Sequence, residues 1–315
     1  MKFNKIDLSK VKTISLMTRP SKVNKSDFSC TLRKPINFSK FLDSVPCILA
    51  GKNFKNLVKS MFTARARNKP VIFAFGAHVI KCGLSPIVID LCKKGYINAL
   101  ATNGASTIHD YELSLTGKTS EDVAARLKNG TFGMTRETGE FVNNAAKHAA
   151  REDKGLGETI GREISSSKNR FKDLSIFAAA HKLSIPITVH TAIGTDIVYQ
   201  HPQCDGGAWG KASYADFLKF AGVVSEIGGG GVLLNFGSAV ILPEVFLKAL
   251  TVCRNLGYKA HNFTTANFDM IKQYRPMENI VTRPTQNEGR GYYFIGHHEF
   301  MLPLLYASLI NGEKK

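Results

Sequence analysis

The stretch PVIFAFGAHVIKCGLSPIVIDLCKKGYINALATNGAS, residues 70–106, carries the reading that decides the fold. Its first six residues, Pro70 to Phe75, form a continuous apolar run, too brief for a stable helix and typical of a strand covered on both faces. Gly76 ends the run. Leu84 to Lys94 then repeats apolar residues at helical spacing, with Gly95 as the stop. Ile97 to Thr102 reads as a second strand. Strand, helix and strand within about thirty residues form one unit, and the right-handed crossover makes its two strands parallel.

The same alternation recurs downstream. Ile185–His190, Gly231–Asn235 and Lys259–Thr264 read as three further strands separated by helical patterns. Five such strands predict an α/β fold, a Rossmann-like parallel sheet with helices on both faces. A long helical insertion, Ser120 to Lys182, separates the second strand from the third, with capping signals at Thr119–Asp122 and Ser165–Ser167. Upstream, Asn37–Leu49 and Asn53–Ala66 read as amphipathic helices. Residues 1–36 mix short apolar pairs with Lys, Ser and Asn, and read as a basic N-terminal arm closed by Pro35. Residues 37–315 read as a single domain, because no Pro- or Ser-rich linker divides them.

Composition bounds the function. A hydrophobic share of 43% beside 21% charged residues is what a packed core requires. The net charge is +17, but residues 1–70 hold sixteen Lys or Arg against three Asp, a net +13, which leaves +4 for the rest. That asymmetry describes a basic face attractive to anions or acidic partners. Aromatic residues interleaved for base stacking are not evident there, so no nucleic acid is expected. Cys30, Cys47, Cys82, Cys92, Cys204 and Cys253 show no C-x-x-C spacing and read as reduced thiols. Without a signal-type apolar core or a long apolar run, no membrane is expected, and residence is read as cytoplasmic. An organelle-targeting role for the basic start stays open.

In a parallel sheet, ligands gather beyond the carboxyl ends of the strands. The segments expected there are Gly76-Ala77-His78, Asn103-Gly104-Ala105-Ser106, Thr191 to Asp196, Phe236-Gly237-Ser238 and Thr265-Ala266-Asn267. All are small or hydrogen-bonding, as ordinary turns also are. Together they describe a groove for a nucleotide or similar polar cofactor. His109, Asp110 and Glu112 read equally as ribose ligands or as charges at a helix start. Gly155-Leu156-Gly157 with Gly161 has the wrong spacing for a dinucleotide fingerprint and reads as a helix junction. Gly228–Gly231 precedes its strand and reads as a turn. His297-His298-Glu299 does not read as a metal site, since consecutive helical residues diverge.

The block INALATNGASTIHDYELSLTG (97–117) resembles the second strand and cofactor turn of the deoxyhypusine synthase family. Further matches follow in order: FAFGAHVIKCGL (73–84), IPITVHTAIGTDIVYQHP (185–202), NFGSAVILPE (235–244), TTANFDMIKQYRP (264–276) and HHEFMLPLL (297–305). The resemblance runs collinearly over roughly residues 40–310. It implies a Rossmann-like domain in a homotetramer, with NAD and polyamine sites at a dimer interface. It also implies a reaction in which NAD takes hydride from spermidine and the aminobutyl part of the imine passes to an enzyme lysine, then to a lysine of an acceptor protein. Sister enzymes pass it to putrescine.

Carried onto this chain, the resemblance implies cofactor contacts at Gly76, Ala77, His78, Thr102, Asn103, Gly104, Ala105, Ser106, Gly237, Ser238, Thr265, Ala266 and Asp269. It implies polyamine contacts at Asp196 and Glu278, for which loop capping is the alternative. There are departures. Thr282-Arg283-Pro284 stands where the family has Trp-Gly-Lys, so the lysine nucleophile falls on Pro284. The loop before Asp196 is about three residues shorter and lacks a second aspartate. Gly237 to Glu244 replaces a segment ending Lys-His-His. The expected function is an NAD-dependent aminoalkyl transferase with a diverged polyamine site. The alternatives are a non-catalytic paralogue that regulates or assembles with an active synthase, and an orthodox synthase using a displaced lysine, Lys272 or Lys248.

Overall fold

Six strands, β1 (Val71–Phe75), β2 (Ala99–Asn103), β3 (Ile187–His190), β4 (Val232–Phe236), β5 (Thr264–Asp269) and β6 (Arg290–Ile295), form one sheet in the order β3-β2-β1-β4-β5-β6. Every neighbouring pair is parallel. The computed structural model that shows this describes residues 4–15, 17–32, 34 and 36–312. Pro35, expected to close the arm, lies outside the described residues.

The helices α1 (Phe38–Ser44), α2 (Leu49–Ala66), α3 (His78–Lys81), α4 (Ser85–Lys93), α5 (Gly104–Thr116), α6 (Val123–Leu127), α7 (Arg136–Arg151), α8 (Leu156–Ser166) and α9 (Ile176–Lys182) precede β3. They are followed by α10 (Gly206–Ser225), α11 (Ile241–Asn255), a short α12 (Tyr274–Pro276) that widens into a π-turn at Met277–Thr282, and α13 (His298–Gly312). Alternation along each strand sends Phe73, Phe75, Phe236 and Phe268 to one face, where α2, α4, α5, α7, α8 and α13 pack. Ile72, Ala74 and Leu233 go to the other face, under α10, α11 and the π-turn. Stacking of Phe236 on Phe268 at 4.2 Å and of Phe268 on Phe294 at 4.8 Å knits β4, β5 and β6 together. The connections leaving β1 and β2 therefore cover one face and those leaving β3, β4 and β5 cover chiefly the other, while α13, after β6, returns to the first.

Two strand expectations are corrected. The fifth strand lies not at Lys259–Thr264 but at Thr264–Asp269. Lys259–Phe263 is instead a loop whose His261 and Asn262 carbonyls accept from Gly229 and Gly230, at 2.9 and 2.8 Å. The true strand hides its polarity inside. The Thr265 hydroxyl donates to Ile280 O at 2.6 Å, and the Asn235 amide donates to the Asn267 side-chain oxygen at 2.6 Å. The sixth strand, at the sheet edge, was not foreseen. The helix expected to reach Leu49 stops at Ser44, and Leu49, with φ 44°, opens α2.

Local signals mostly hold. The Asp122 side chain accepts from Ala125 N at 3.1 Å and caps α6. The serines 165–167 end α8 rather than starting a helix; Ser175 supplies the next N-cap, accepting from Ala178 N at 2.9 Å. Gly155 precedes α8, and a methyl at Gly157 or Gly161 would strike Ile187 O or Phe177 O, so those glycines serve close packing, as a helix junction requires. Gly229 and Gly230 take φ values of 73° and 117° in the turn before β4. Two buried carboxylates tie distant helix starts. Asp110 on α5 accepts from Ile176 N at 2.8 Å and from the Ser175 hydroxyl. Asp216 on α10 accepts from Gly157 N at 3.0 Å and Val189 N at 2.9 Å. The described part of the arm is largely exposed and is held where Cys47 N donates to Asp27 O at 2.9 Å. All six cysteines are unpaired. Among the described residues no helix is long and apolar enough to cross a membrane.

Candidate functional site

With strand order 3-2-1-4-5-6, the loops after β1 and β4 leave for opposite faces, the switch point at which ligands bind in open parallel sheets. Gly76 N donates to Phe236 O at 2.9 Å and Gly237 N to Phe268 O at 3.1 Å, so the ladder runs one residue past the strands before the chains part. Both positions exclude a side chain. A methyl at Gly76 would lie 2.7 Å from Gly237 O, and one at Gly237, whose φ is 69°, would strike the His298 ring. Ser238 accepts from Leu242 N at 3.1 Å and starts α11. Asp269 ends β5, accepting from Met270 N at 2.7 Å. His298 opens α13, buried, its ring 5.9 Å from that of His78 and its Nδ1 without a partner among the described residues. Burial holds its pKa below the usual histidine value, with Asp269 opposing.

The next turn uses its polar side chains internally. Asn103 caps α5 by accepting from Ser106 N at 3.3 Å, and the Thr102 hydroxyl donates to Phe75 O at 2.8 Å beside Ser106. Only the Gly104–Ala105 backbone remains for a ligand there. Thr265 and Ala266 require a correction: they sit inside β5, fully buried, and not in a turn beyond it.

Asp196 comes to this turn from the loop after β3. A methyl at Gly104 would collide with Asp196 Oδ2 and lie 3.5 Å from the Tyr199 hydroxyl. Asp196 precedes a 3-10 turn, Ile197–Gln200, yet its side chain makes no capping hydrogen bond. Capping therefore does not explain this residue. Burial pushes its pKa up to about 6. Two cavities meet at it. One of about 490 Å³ is lined by Lys81, His109, Glu112, Glu121 and Phe132; the other, of about 310 Å³, by Phe132, Tyr199 and Gln200. Thr195, Asp196 and Ile197 line both, so the two form one groove with Asp196 at its middle.

The larger lobe is built by α5 and the segment after it. Glu112 accepts from the Thr119 hydroxyl at 2.6 Å and the Thr138 hydroxyl at 3.1 Å. Since the Thr119 proton is committed to Glu112, His109 Nδ1, 2.7 Å from Thr119 Oγ1, is the donor in that contact. Burial takes His109 down to about 4, so the ring is neutral. Asp110, the third of these residues, is buried against α9 and turned to structural use. Three carboxylates, Glu112, Glu121 and Asp196, face the groove against Lys81 and Lys118. Such a wall suits a cationic ligand in a partly dry cleft.

Glu278 is not brought to Asp196. It lies in the π-turn on the β4–β6 half, 3.6 Å from Arg283 Nε. Pro284 is buried in a 3-10 turn, its carbonyl accepting from Arg254 Nη2 at 3.1 Å. Lys248 pairs with Glu244 and Lys272 is exposed past β5; neither lines the groove, whereas Lys81 and Lys118 do. Sequence reasoning passed over Tyr199, Phe132, Glu121 and Lys81. For Tyr199 a signal existed, because three residues after Asp196 is one 3-10 turn and places both on one side.

No family model matches the sequence, and no curated protein matches it. Solved structures do match. A conserved LOR/SDH protein from Methanococcus maripaludis S2 is 16% identical, with TM-score 0.52 over 84% of this chain and 70% of its own. AgrE, in a ternary complex with ornithine and NAD+, is 14% identical, with TM-score 0.50 over 83% of this chain and 33% of its own. The chain thus spans about a third of the length of AgrE. A protein from Entamoeba histolytica assigned as a deoxyhypusine synthase is 10% identical, with TM-score 0.49 over 90% of this chain and 96% of its own. At these identities the first two likenesses establish a shared α/β fold and nothing narrower.

Proposed function

We propose that this chain is an NAD-dependent enzyme of the deoxyhypusine synthase type that acts on a polyamine or related amine. The observation that carries the reading is Asp196, a partly buried carboxylate with no capping role, set in an acidic groove at the strand ends. An ammonium group is its natural counter-charge. AgrE, which shares the fold, binds both NAD+ and the amine-bearing ornithine.

The residues present fit a dinucleotide. The Gly104–Ala105 backbone opens α5 at a strand end, as a phosphate site requires, while Gly76 and Gly237 let the ends of β1 and β4 pack against each other and against His298. Asp269 and Ser238 would contact the dinucleotide, while Thr102 and Ser106 shape the turn from within. When bound, NAD supplies the hydride acceptor. The chain holds the amine by Asp196, keeps His109 neutral near it and excludes water through Phe132 and Ile197. With Pro284 at the family's lysine position, an imine formed with bound NAD would be open to direct attack by a second amine, which would displace the original one, or by water, which would release it and leave an aldehyde. A homo-oligomer and an acceptor amine, small or on a protein, complete the reading.

Mixing the protein with NAD and a polyamine panel, following NADH absorbance and analysing the amines by mass spectrometry, tests it; no NADH, no aldehyde and no new amine with every polyamine rejects it. The absent lysine also favours a second reading, a non-catalytic paralogue assembled with an active synthase, which predicts co-purification with that synthase and stimulation of its rate. The third, a displaced lysine, now points to Lys81 or Lys118 in place of Lys248 and Lys272. Borohydride trapping followed by peptide mapping decides it.

A further inference from the structure

The Tyr199 hydroxyl is buried; the Thr191 side chain comes near it, but no hydrogen bond of full geometry reaches it among the described residues. An unpaired phenol inside a protein is destabilising, so its retention in a packed wall calls for an occupant. The hydroxyl stands over Gly104 next to the Asp196 carboxylate, and both residues line the smaller lobe of the groove. Its ring is fixed from behind, edge-on to Trp209 with centroids 4.9 Å apart, and Trp209 is anchored by donating to Asn143 Oδ1 at 2.8 Å. The hydroxyl is thus held still beside the Asp196 carboxylate, with the Thr191 side chain near it but no fully formed hydrogen bond among the described residues.

The geometry points to Tyr199 as a specificity-determining residue: its phenol oxygen accepts an N–H from the ammonium group that Asp196 neutralises, so that the groove selects primary and secondary amines over quaternary ones. This rests on the amine reading above and deepens it. A primary ammonium carries three N–H donors and is satisfied only when several acceptors converge on it. A carboxylate alone supplies charge and would hold a quaternary ammonium nearly as well. A neighbouring phenol adds direction.

Trp209 is the only tryptophan of the chain and touches Tyr199, so its fluorescence reports occupancy of the lobe. The full chain, with NAD present, is titrated with n-butylamine and with n-butyltrimethylammonium, using this signal and calorimetry. The wild type prefers n-butylamine. Tyr199→Phe keeps the ring and its packing, weakens n-butylamine by about ten- to a hundredfold, as loss of one hydrogen bond to a charged group does, and leaves the quaternary ligand unchanged. Asp196→Asn weakens both. If Tyr199→Phe weakens both ligands equally, or neither, while Asp196→Asn still weakens both, the role of the hydroxyl is overturned and the amine site stands. If the wild type binds neither ligand, or Asp196→Asn changes nothing, the amine site falls, and Tyr199 with it. Equal melting temperatures of wild type and Tyr199→Phe exclude a folding defect.

Discussion

Asp196 titrates where it can be tested. Burial sets its folded pKa at about 6, and only the ionised form attracts an ammonium, whose own charge is constant across this range. Amine affinity is therefore level above about 6 and falls as the pH drops through that value, by about tenfold per unit at the limit. Calorimetric titration at several pH values shows this, and Asp196→Asn should give a weak, flat profile. Gly104 makes a second residue-scale prediction. A methyl there would collide with Asp196 Oδ2, so Gly104→Ala displaces the carboxylate and lowers amine affinity by at least about tenfold. The accompanying loss of stability, of order 1–3 kcal/mol as for other overpacked sites, is read from denaturant unfolding.

Among the elements, α8 depends on a residue far away in sequence. Asp216 supplies the N-terminal acceptor that α8 lacks locally and at the same time satisfies Val189 N on the edge strand β3. Burial raises its pKa from 3.8 to about 7, so the folded state holds a proton that the unfolded chain releases. The sign follows: with more protons bound when folded, this residue's contribution falls as pH rises from about 4 to about 7. Asp216→Asn imitates the protonated form, so its stability relative to wild type should improve over that window. Melting curves across it check the direction, and a difference independent of pH would refute it. Asp216→Ala leaves both amides unpaired and should cost several kcal/mol. None of this pairing was legible beforehand, since an aspartate amid Tyr214, Ala215 and Phe217 looks like a helix surface. The strands were legible where their residues were apolar, as at Val71–Phe75 and Val232–Phe236. Reading failed at β5, whose Thr265 and Asn267 form a polar seam closed only by Ile280 and Asn235, both distant in sequence.

For the molecule as a whole, the sequence implied a parallel sheet with helices on both sides. The strand order that sets the switch point depends on which strands become neighbours, a choice made by packing and invisible to local pattern. The site was half legible: Gly76, Gly237 and Asp196 could be named, but the groove also needs Phe132 and Glu121, which carry no signature of their own, and Tyr199, whose one signal is its place a 3-10 turn after Asp196. If the switch point takes NAD, the fold must gain stability from it. Saturation at a hundred times Kd adds about 2.7 kcal/mol, visible as a rise in melting temperature, and no rise at millimolar NAD would count against the cofactor reading.

The sheet's central pairing joins Val71 to Val232, about 160 residues later. During synthesis, β1 must emerge from the ribosome and wait, with Phe73 and Phe75 uncovered on that side, until most of the remaining chain has followed. Contacts so distant close slowly, and an open apolar strand edge is sticky meanwhile. Recombinant production should accordingly reward low temperature and chaperone supply, and a chain cut before residue 232 should accumulate as insoluble aggregate.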